Sequence, residues 1–173
     1  MEVSVERDPF LKGVSRVLGV VERKSTMPIL SNILLEANGN EIRLTGTNLD
    51  VGAIAVVAAE VKKKGRVAID ARHLHDIVKE LSAKSFTLVK QDNNWIQLTA
   101  GRARFKIAGL SPEDFPSLHD VDAVKPATMK AKTLLKMIDL TSFSMSTDET
   151  RYNMNGVLLE VADAKKKTLR MVS

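Results

Sequence analysis

The chain opens with a change in the spacing of its apolar residues. Val3 and Val5 alternate with polar residues over 1–6, which predicts a strand. From Arg7 onward the spacing becomes helical, and Asp8 suits the first turn because a carboxylate favours the positive end of a helix dipole. The apolar stripe that predicts this amphipathic helix consists of Phe10, Leu11, Val14, Val17, Leu18 and Val21.

The stretch 26–50 contains two runs rich in isoleucine, leucine and threonine that flank Asn-Gly-Asn at 38–40. Asn-Gly between apolar runs is typical of a β-hairpin, because both residues tolerate the positive φ of a type I′ turn. Pro28 fixes its own φ and biases Met27 toward an extended conformation, so it predicts where the first strand begins.

The order of elements then repeats. Asp70 is suited to cap a second helix, because its carboxylate can accept hydrogen bonds from the free N–H groups of the first turn. The predicted order is a strand, a helix and three strands, and then the same five elements again. This order indicates an α+β fold with a largely antiparallel sheet. The other predicted features are strands at 49–61, 66–69, 85–90, 95–99 and 102–107, turns at Lys62-Lys63-Lys64-Gly65 and Asp92-Asn93-Asn94, and the helical stripe Leu74, Ile77, Val78 and Leu81.

A longer-range repeat follows a break in the pattern. Residues 110–124 hold two prolines, several acids and little periodicity, so we interpret them as a connector. Beyond it a strand is expected over 127–131 and a helix over 133–145. Shifting the chain by 124 residues brings Ile33-Leu34-Leu35-Glu36 onto Val157-Leu158-Leu159-Glu160. This match indicates a duplicated unit, with a domain boundary near residue 120.

Composition and charge narrow the classes of function. The 173 residues are 44% apolar and 27% charged, which is typical of a globular protein. The absence of cysteine excludes disulfides, zinc–thiolate sites and thiol nucleophiles, and it favours the reducing cytoplasm. The longest apolar run, 51–59, is too short to span a bilayer, and the net charge of +5 suits a polyanionic partner.

No constellation of residues in the sequence indicates catalysis, a metal or a cofactor. His73 and His75 are two residues apart on a predicted helix, so they point in different directions and do not form a metal-binding pair. The phosphate-binding, dinucleotide-binding and nucleophile-elbow motifs are absent. An enzyme that uses aspartate, glutamate and histidine remains an alternative.

One face of the first predicted helix is basic. Lys12 and Arg16 lie one turn apart, opposite the apolar stripe, and Arg23 and Lys24 follow. Because no glutamate lies between Lys12 and Gly19 to form i,i+4 ion pairs, this face is suited to contact phosphate groups. The alternative is an ordinary solvated face. The second helix is more mixed and carries Arg72, Lys79, Asp76 and Glu80.

Seven segments of the sequence form a series that resembles one protein family. They are V-S-V-E-R at 3–7, F-L-K at 10–12, M-P-I-L-S-N-I-L-L-E at 27–36, L-T-G-T-N-L-D at 44–50, G-R-A-R-F at 101–105, L-S-P-E-D-F-P-S-L at 110–118 and R-Y-N-M-N-G-V-L-L-E at 151–160. Their content and order resemble the bacterial DNA polymerase III β subunits, the sliding clamps.

The resemblance implies a DNA-clamp fold, in which each domain packs two helices on an antiparallel sheet and the domain recurs three times. Residues 1–120 would be the complete first domain, and 121–173 a linker with the incomplete start of the second. Two subunits would close head to tail as a homodimer ring around duplex DNA. Such a processivity factor has no catalytic activity. It tethers the replicative polymerase and reaches that polymerase and the clamp loader through short peptide motifs.

The resemblance also assigns residues. The helices would line the ring and attract phosphates without regard to base sequence. Tyr152 would face the DNA, but Asn153 follows it where a second aromatic residue is common, which leaves stacking there open. The full DNA-facing set is Lys24, Arg72 and Tyr152 by resemblance, with Lys12, Arg16, Arg23 and Lys79 added on charge and position.

The resemblance also implies two protein-binding surfaces, a peptide groove and a subunit interface. Arg151 and Met154 would lie at the fringe of the peptide groove. A non-clamp or sequence-specific basic nucleic-acid-binding module, and an ordinary half-buried strand over 102–107, remain alternatives. The subunit interface would comprise His73, Arg102, Arg104, Phe105 and Ile107, of which the last four are expected to face solvent in this chain.

Overall fold

The computed structural model divides the chain into two units, Met1–His119 and Asp120–Ser173. The residues it describes are 1–22, 27–118, 128–148, 150, 154–163 and 168–173. No helix within these ranges is long and apolar enough to cross a membrane.

The described part of the first unit contains one antiparallel sheet and two α-helices, as the α+β prediction required. The strands lie in the order β8-β7-β6-β1-β4-β3-β2-β5-β9. In chain order the elements are β1 (Glu2–Glu6), α1 (Arg7–Leu18), β2 (Asn32–Asn38), β3 (Glu41–Thr47), β4 (Gly52–Lys63), β5 (Gly65–Asp70), α2 (Ala71–Glu80), β6 (Ser85–Lys90), β7 (Ile96–Ala100), β8 (Ala103–Ile107) and β9 (Gly109–Leu110).

The sheet curves back on itself, because its two end strands are neighbours in sequence. Only Ala108 separates β8 from β9, although they lie at opposite ends of the strand order. The long strand β4 behaves similarly, since it pairs with β3 over 52–58 and with β1 over 59–63. The unit therefore consists of two matching halves, each a strand, a helix and three strands.

Both helices bury the predicted apolar stripes in one core. Phe10 of α1 is fully buried and its ring meets that of Phe86 edge to face, with centroids 5.1 Å apart. Leu74 and Val78 of α2 are fully buried in the same cluster. The Oδ1 atom of Asp70 accepts a hydrogen bond from the His73 backbone N–H at 2.7 Å, which confirms the predicted cap.

Glycine lets α1 lie very close to the sheet. A Cβ atom on Gly46 of β3 would come within 2.5 Å of Val17 Cγ1, and one on Gly13 within 2.9 Å of Leu44 Cδ1. Contacts this short are not tolerated between carbon atoms, so hydrogen at both positions allows the helix to pack on β3 and β4.

The first hairpin is confirmed, but its predicted turn type is wrong. Asn38 pairs with Glu41 inside the strands, so the loop is Gly39-Asn40. Gly39 has a φ of +57° while Asn40 keeps a negative φ, which is the pattern of a type II′ turn. The first strand also begins later than predicted, because Pro28–Ser31 form a 3₁₀ turn before it.

The lysine run is mostly strand rather than turn. Lys63 pairs with Glu2 of β1, and Lys62 lies within 3.8 Å of the Glu2 carboxylate, so both belong to β4. Only Lys64 joins β4 to β5. In contrast, the turn at 92–94 is confirmed, and Asn93 and Asn94 adopt the positive φ that asparagine tolerates.

The described part of the predicted connector, 110–118, packs within the first unit. Phe115 is buried with Ile29, Leu30, Leu34 and Ala68 in a small second core cluster. Residues 110–118 therefore belong to the first unit, because Phe115 packs against apolar side chains of that unit.

The second unit repeats the beginning of the first. Its described elements are α3 (Ala131–Thr141) and the antiparallel hairpin of β10 (Leu158–Asp163) and β11 (Thr168–Val172). The shift of 124 residues places the start of α1 on Ala131, where α3 begins. The expected strand at 127–131 is wrong for its described part, since residues 128–130 are not in a strand. No residue of α3 is buried, unlike the matching face of α1.

Candidate nucleic-acid interface

The helices α1 and α2 lie side by side and antiparallel. The guanidinium of Arg7, at the start of α1, donates to the carbonyls of Val78 (3.3 Å) and Lys79 (3.0 Å) at the end of α2. At the other end of the pair, Arg72 from the first turn of α2 shares a shallow depression with Ser15, Leu18, Gly19 and Val21 of α1 and its C-terminal extension.

Four cations extend from this helix pair. Lys12 and Arg16 are exposed on the side of α1 opposite its buried stripe, as predicted. Lys79 is exposed and follows Arg72 by seven residues, so the two share one side of α2. Within the described ranges none of these four side chains has a carboxylate within ion-pair distance.

The acids of α2 form no close ion pair with these four cations among the described residues. Asp76 is exposed and lies one turn beyond Arg72, but its carboxylate is 3.2 Å from His75 Nδ1 instead. The i,i+4 ion pair between Arg72 and Asp76 is therefore not formed, although α2 still carries Asp76 and Glu80 beside its two cations.

Arg72 is the least solvated of the four cations. It is partly buried, and its Nε–H has no hydrogen-bond partner in the described part of the protein. A buried donor without an acceptor costs about 1–3 kcal/mol. The Nε–H of Arg72 is therefore buried and unsatisfied within the described part of the protein, whereas the guanidinium of Arg7 donates to two carbonyls.

Four of the predicted site residues lie outside the described ranges: Arg23, Lys24, Arg151 and Tyr152. Met154 is described and is 54% exposed in the second unit, where its carbonyl accepts a hydrogen bond from the Ser146 N–H at 3.0 Å. The DNA-facing and peptide-groove assignments of these residues stay predictions.

The strand β8 forms the edge that the resemblance assigns to the subunit interface. Arg102 and Arg104 are exposed, and Phe105 is 37% exposed. Ile107 is not, so its expected exposure is wrong: it pairs with Ile96, is only 2% exposed and fills the core. His73 is exposed in the first turn of α2.

Three residues that sequence reasoning did not assign to a site lie at these surfaces. Lys106 is exposed on the same side of β8 as Arg104, a position that the i,i+2 alternation of cations could have indicated. Trp95 is 43% exposed and lines an open depression with Lys106. Arg7 contacts residues more than seventy positions away, and no local pattern reveals such a contact.

The described ranges contain no group of three His, Asp or Glu side chains placed to hold a metal ion. The exposed side chains of Lys12, Arg16 and Lys79 can attract anions at the helix pair.

The chain was compared with families, curated proteins and solved structures. A model of the DNA polymerase III beta subunit, N-terminal domain, matches residues 1–119. The chain is 37% identical over 174 positions to the beta sliding clamp of Pseudomonas putida and 34% identical over 176 positions to that of Caulobacter vibrioides. Each match covers 100% of this chain and 47% of the relative, so the chain spans a little under half of their length.

Solved structures agree with these matches. The sliding clamp of Caulobacter crescentus gives a TM-score of 0.89 at 32% identity over 99% of this chain and 46% of that one. The DNA polymerase III subunit beta of Pseudomonas aeruginosa gives 0.81 at 35% identity, over 93% and 44% of the two chains. The chain belongs to the family of the bacterial DNA polymerase III β subunit, and its residues 1–119 correspond to the N-terminal domain of that family.

Proposed function

We propose that this chain is part of a sliding clamp, a non-catalytic cytoplasmic processivity factor that encircles duplex DNA and tethers the replicative polymerase. The observation that carries the proposal is the antiparallel helix pair with four cations that form no close ion pair with a described carboxylate. Family membership supplies the context in which such a pair faces DNA.

The helix pair suits sliding rather than sequence reading. Phosphates are alike along the duplex, so exposed lysine and arginine side chains exchange one phosphate for the next at little cost. Each such contact is weak and screened by salt. Retention on DNA would therefore depend on enclosure by the ring, which needs the rest of the protein.

The proposed function includes an assignment of two clamp domains to this chain. Residues 1–120 form the complete first domain in our proposal, because the described part of the first unit has its own core and paired sheet. Residues 121–173 are a linker and the incomplete start of a second domain, because α3 buries none of its residues.

Ring closure would use the β8 edge. Arg102 and Arg104 would pair with acids of a second subunit, and the exposed part of Phe105 would pack against it. Ile107 would support this edge from inside the core, and His73 would flank it. The fringe residues Arg151 and Met154 would help to form the groove for peptide motifs of the polymerase and clamp loader.

A salt titration tests the proposal. Fluorescence anisotropy should show that the 173-residue chain binds two duplexes of unrelated sequence equally, at about 10⁻⁴ M or weaker, with affinity that falls as salt rises. The salt slope is the magnitude of the slope of log affinity against log salt concentration. The double variant Lys12→Ala/Arg16→Ala should lower it by nearly two units. The control Arg43→Ala removes an exposed cation from β3, outside the helix pair, and should leave the slope unchanged. A preference for one duplex, or equal effects of both changes, would contradict the proposal.

A further inference from the structure

We propose that Arg7 is a positioning residue that holds α1 and α2 in register and thereby fixes the spacing of their cations. This inference rests on the proposed DNA-facing role of the helix pair. It concerns a residue that contacts no ligand itself and acts through Lys79 and Arg72 of the neighbouring helix.

The location of Arg7 is unfavourable for its own helix. It is the first residue of α1, where the helix dipole is positive and a cation is disfavoured. Asp8 offsets this only weakly, because its carboxylate is 3.7 Å from Arg7 Nη1 and highly exposed. A local cost of this kind indicates that the residue is needed for a contact elsewhere in the fold.

That contact is the C-terminal end of α2. The last carbonyls of a helix lack intrahelical partners and carry the negative end of its dipole. Arg7 Nε donates at 3.3 Å to the Val78 carbonyl, which also accepts the Leu81 N–H, and Nη2 donates to the Lys79 carbonyl at 3.0 Å. The Arg7 backbone N–H donates separately to the Lys84 carbonyl beyond α2, at 2.8 Å, and Arg7→Ala would retain this main-chain bond. The planar guanidinium reaches two adjacent carbonyls at once, which an ammonium group does less well.

Among the described residues, no hydrogen bond of this kind joins the helices at their opposite end. Arg72 lines a depression there with Ser15 and Leu18, and no described residue accepts a hydrogen bond from its Nε. The pair is thus hydrogen-bonded through Arg7 at one end and packed at the other. Without Arg7, we expect α2 to shift along α1, and Arg72 and Lys79 to lose their fixed distance from Lys12 and Arg16.

Spacing affects binding because the salt slope reports how many phosphates are neutralised together, at about 0.9 units for each. Four cations at fixed separation can meet phosphates at once, while two helices whose register varies within the shared core meet fewer. Arg7→Ala should therefore lower the salt slope by about one unit or more, beyond the effect of losing one distant charge. Arg43→Ala again provides that control.

The test combines the salt slope with a distance measurement on the same variants. The chain has no cysteine, so spin labels can be attached at Ser15→Cys on α1 and Glu80→Cys on α2, both exposed positions. Double electron–electron resonance should give a narrow distribution of distances between the two spin labels for the parent, a broad one for Arg7→Ala and an intermediate one for Arg7→Lys. The salt slope should follow the same order.

Each contrary result has a distinct meaning. A lower melting temperature in Arg7→Ala with an unchanged distance distribution and salt slope would show a purely structural role and overturn the inference. A lower slope with an unchanged distribution would show a direct phosphate contact and also overturn it. If the parent does not bind DNA, the proposed function fails, while the distance distributions still decide whether Arg7 fixes the helices.

Discussion

Leu98 and Phe105 lie opposite each other in the pairing of β7 with β8, yet Leu98 is fully buried and Phe105 is 37% exposed. Both side chains point to the core face of the sheet. The difference arises because β7 has a strand on each side, whereas β8 pairs with β7 alone among the described strands. The exposed part of Phe105 is therefore a consequence of its position at the sheet edge.

This relationship predicts unequal costs of truncation. Leu98→Ala should lower the free energy of unfolding by about 2–5 kcal/mol, because it leaves a cavity in the core. Phe105→Ala should cost about 1–2 kcal/mol, since much of the ring is already in contact with water. Urea denaturation of the two variants measures both values. Equal losses would mean that the edge of the sheet is covered in solution.

The close approach of α1 to β3 predicts a second pair of outcomes. Gly46→Ala should destabilise the protein by about 1–3 kcal/mol, because its Cβ would lie 2.5 Å from Val17 Cγ1. Gly19→Ala is the control: the nearest atom is 3.6 Å away and its φ of −64° suits alanine. That change should be neutral or stabilising by up to about 1 kcal/mol. Thermal or urea unfolding distinguishes the two, and a neutral Gly46→Ala would disprove the tight contact.

The N-terminal amino group predicts a pH dependence. Burial lowers the pKa of the Met1 amine, and the nearby charges of Lys63 and Lys90 lower it further. The folded protein therefore binds the proton less well than the unfolded chain. The resulting contribution to stability should be present above about pH 8, the pKa of an unfolded amine, and be lost as the pH falls through the folded pKa.

NMR titration of the amine, labelled with ¹³C by reductive methylation, measures this pKa directly. Lys63→Gln should raise the pKa toward its ordinary value, because it removes one of the charges that depress it. Lys62→Gln is the matched control, since Lys62 is not among those charges and lies 3.8 Å from the Glu2 carboxylate. The same shift in both variants would contradict the assignment to Lys63.

The open apolar side chains of the second unit predict self-association of the 173-residue chain. Leu135 is 59% exposed and Ile138 is 41% exposed, whereas Val14, which corresponds to Ile138 in α1, is fully buried. Sedimentation at rising concentration should show a dimer, and Ile138→Lys should weaken it. A monomer with strong amide-exchange protection over 131–141 would show that this unit is stable without covering its apolar face.

Local patterns predicted the two helices and most strands of the first unit, but not their long-range contacts. The stripe of Phe10, Val14 and Val17 and the Asp70 cap were predictable because spacing and capping are local. The burial of Ile107 was not, because alternation alone does not distinguish a side chain that faces a partner from one that completes its own core. The role of Phe115 within an apparently aperiodic segment depends on a surface formed by residues far away in sequence.

The candidate site also combines features that local sequence patterns predict with features that depend on contacts between distant residues. The exposure of Lys12 and Arg16 follows from the helical stripe opposite them. The availability of Arg72 depends on Asp76 contacting His75 rather than the arginine, and the function proposed for Arg7 depends on α2 ending beside the start of α1. Neither relationship leaves a signal in the spacing of residues.

The central claim is that the helix pair is the surface that meets DNA, and amide chemical-shift mapping tests it most directly. Duplex DNA of arbitrary sequence is titrated at low salt into ¹⁵N-labelled protein whose backbone resonances are assigned. We predict that the shifts concentrate around Lys12, Arg16, Arg72 and Lys79, and that added salt reverses them. Shifts concentrated instead around Arg43 on the opposite face of the sheet, or shifts at the helices that differ between unrelated duplexes, would contradict the account.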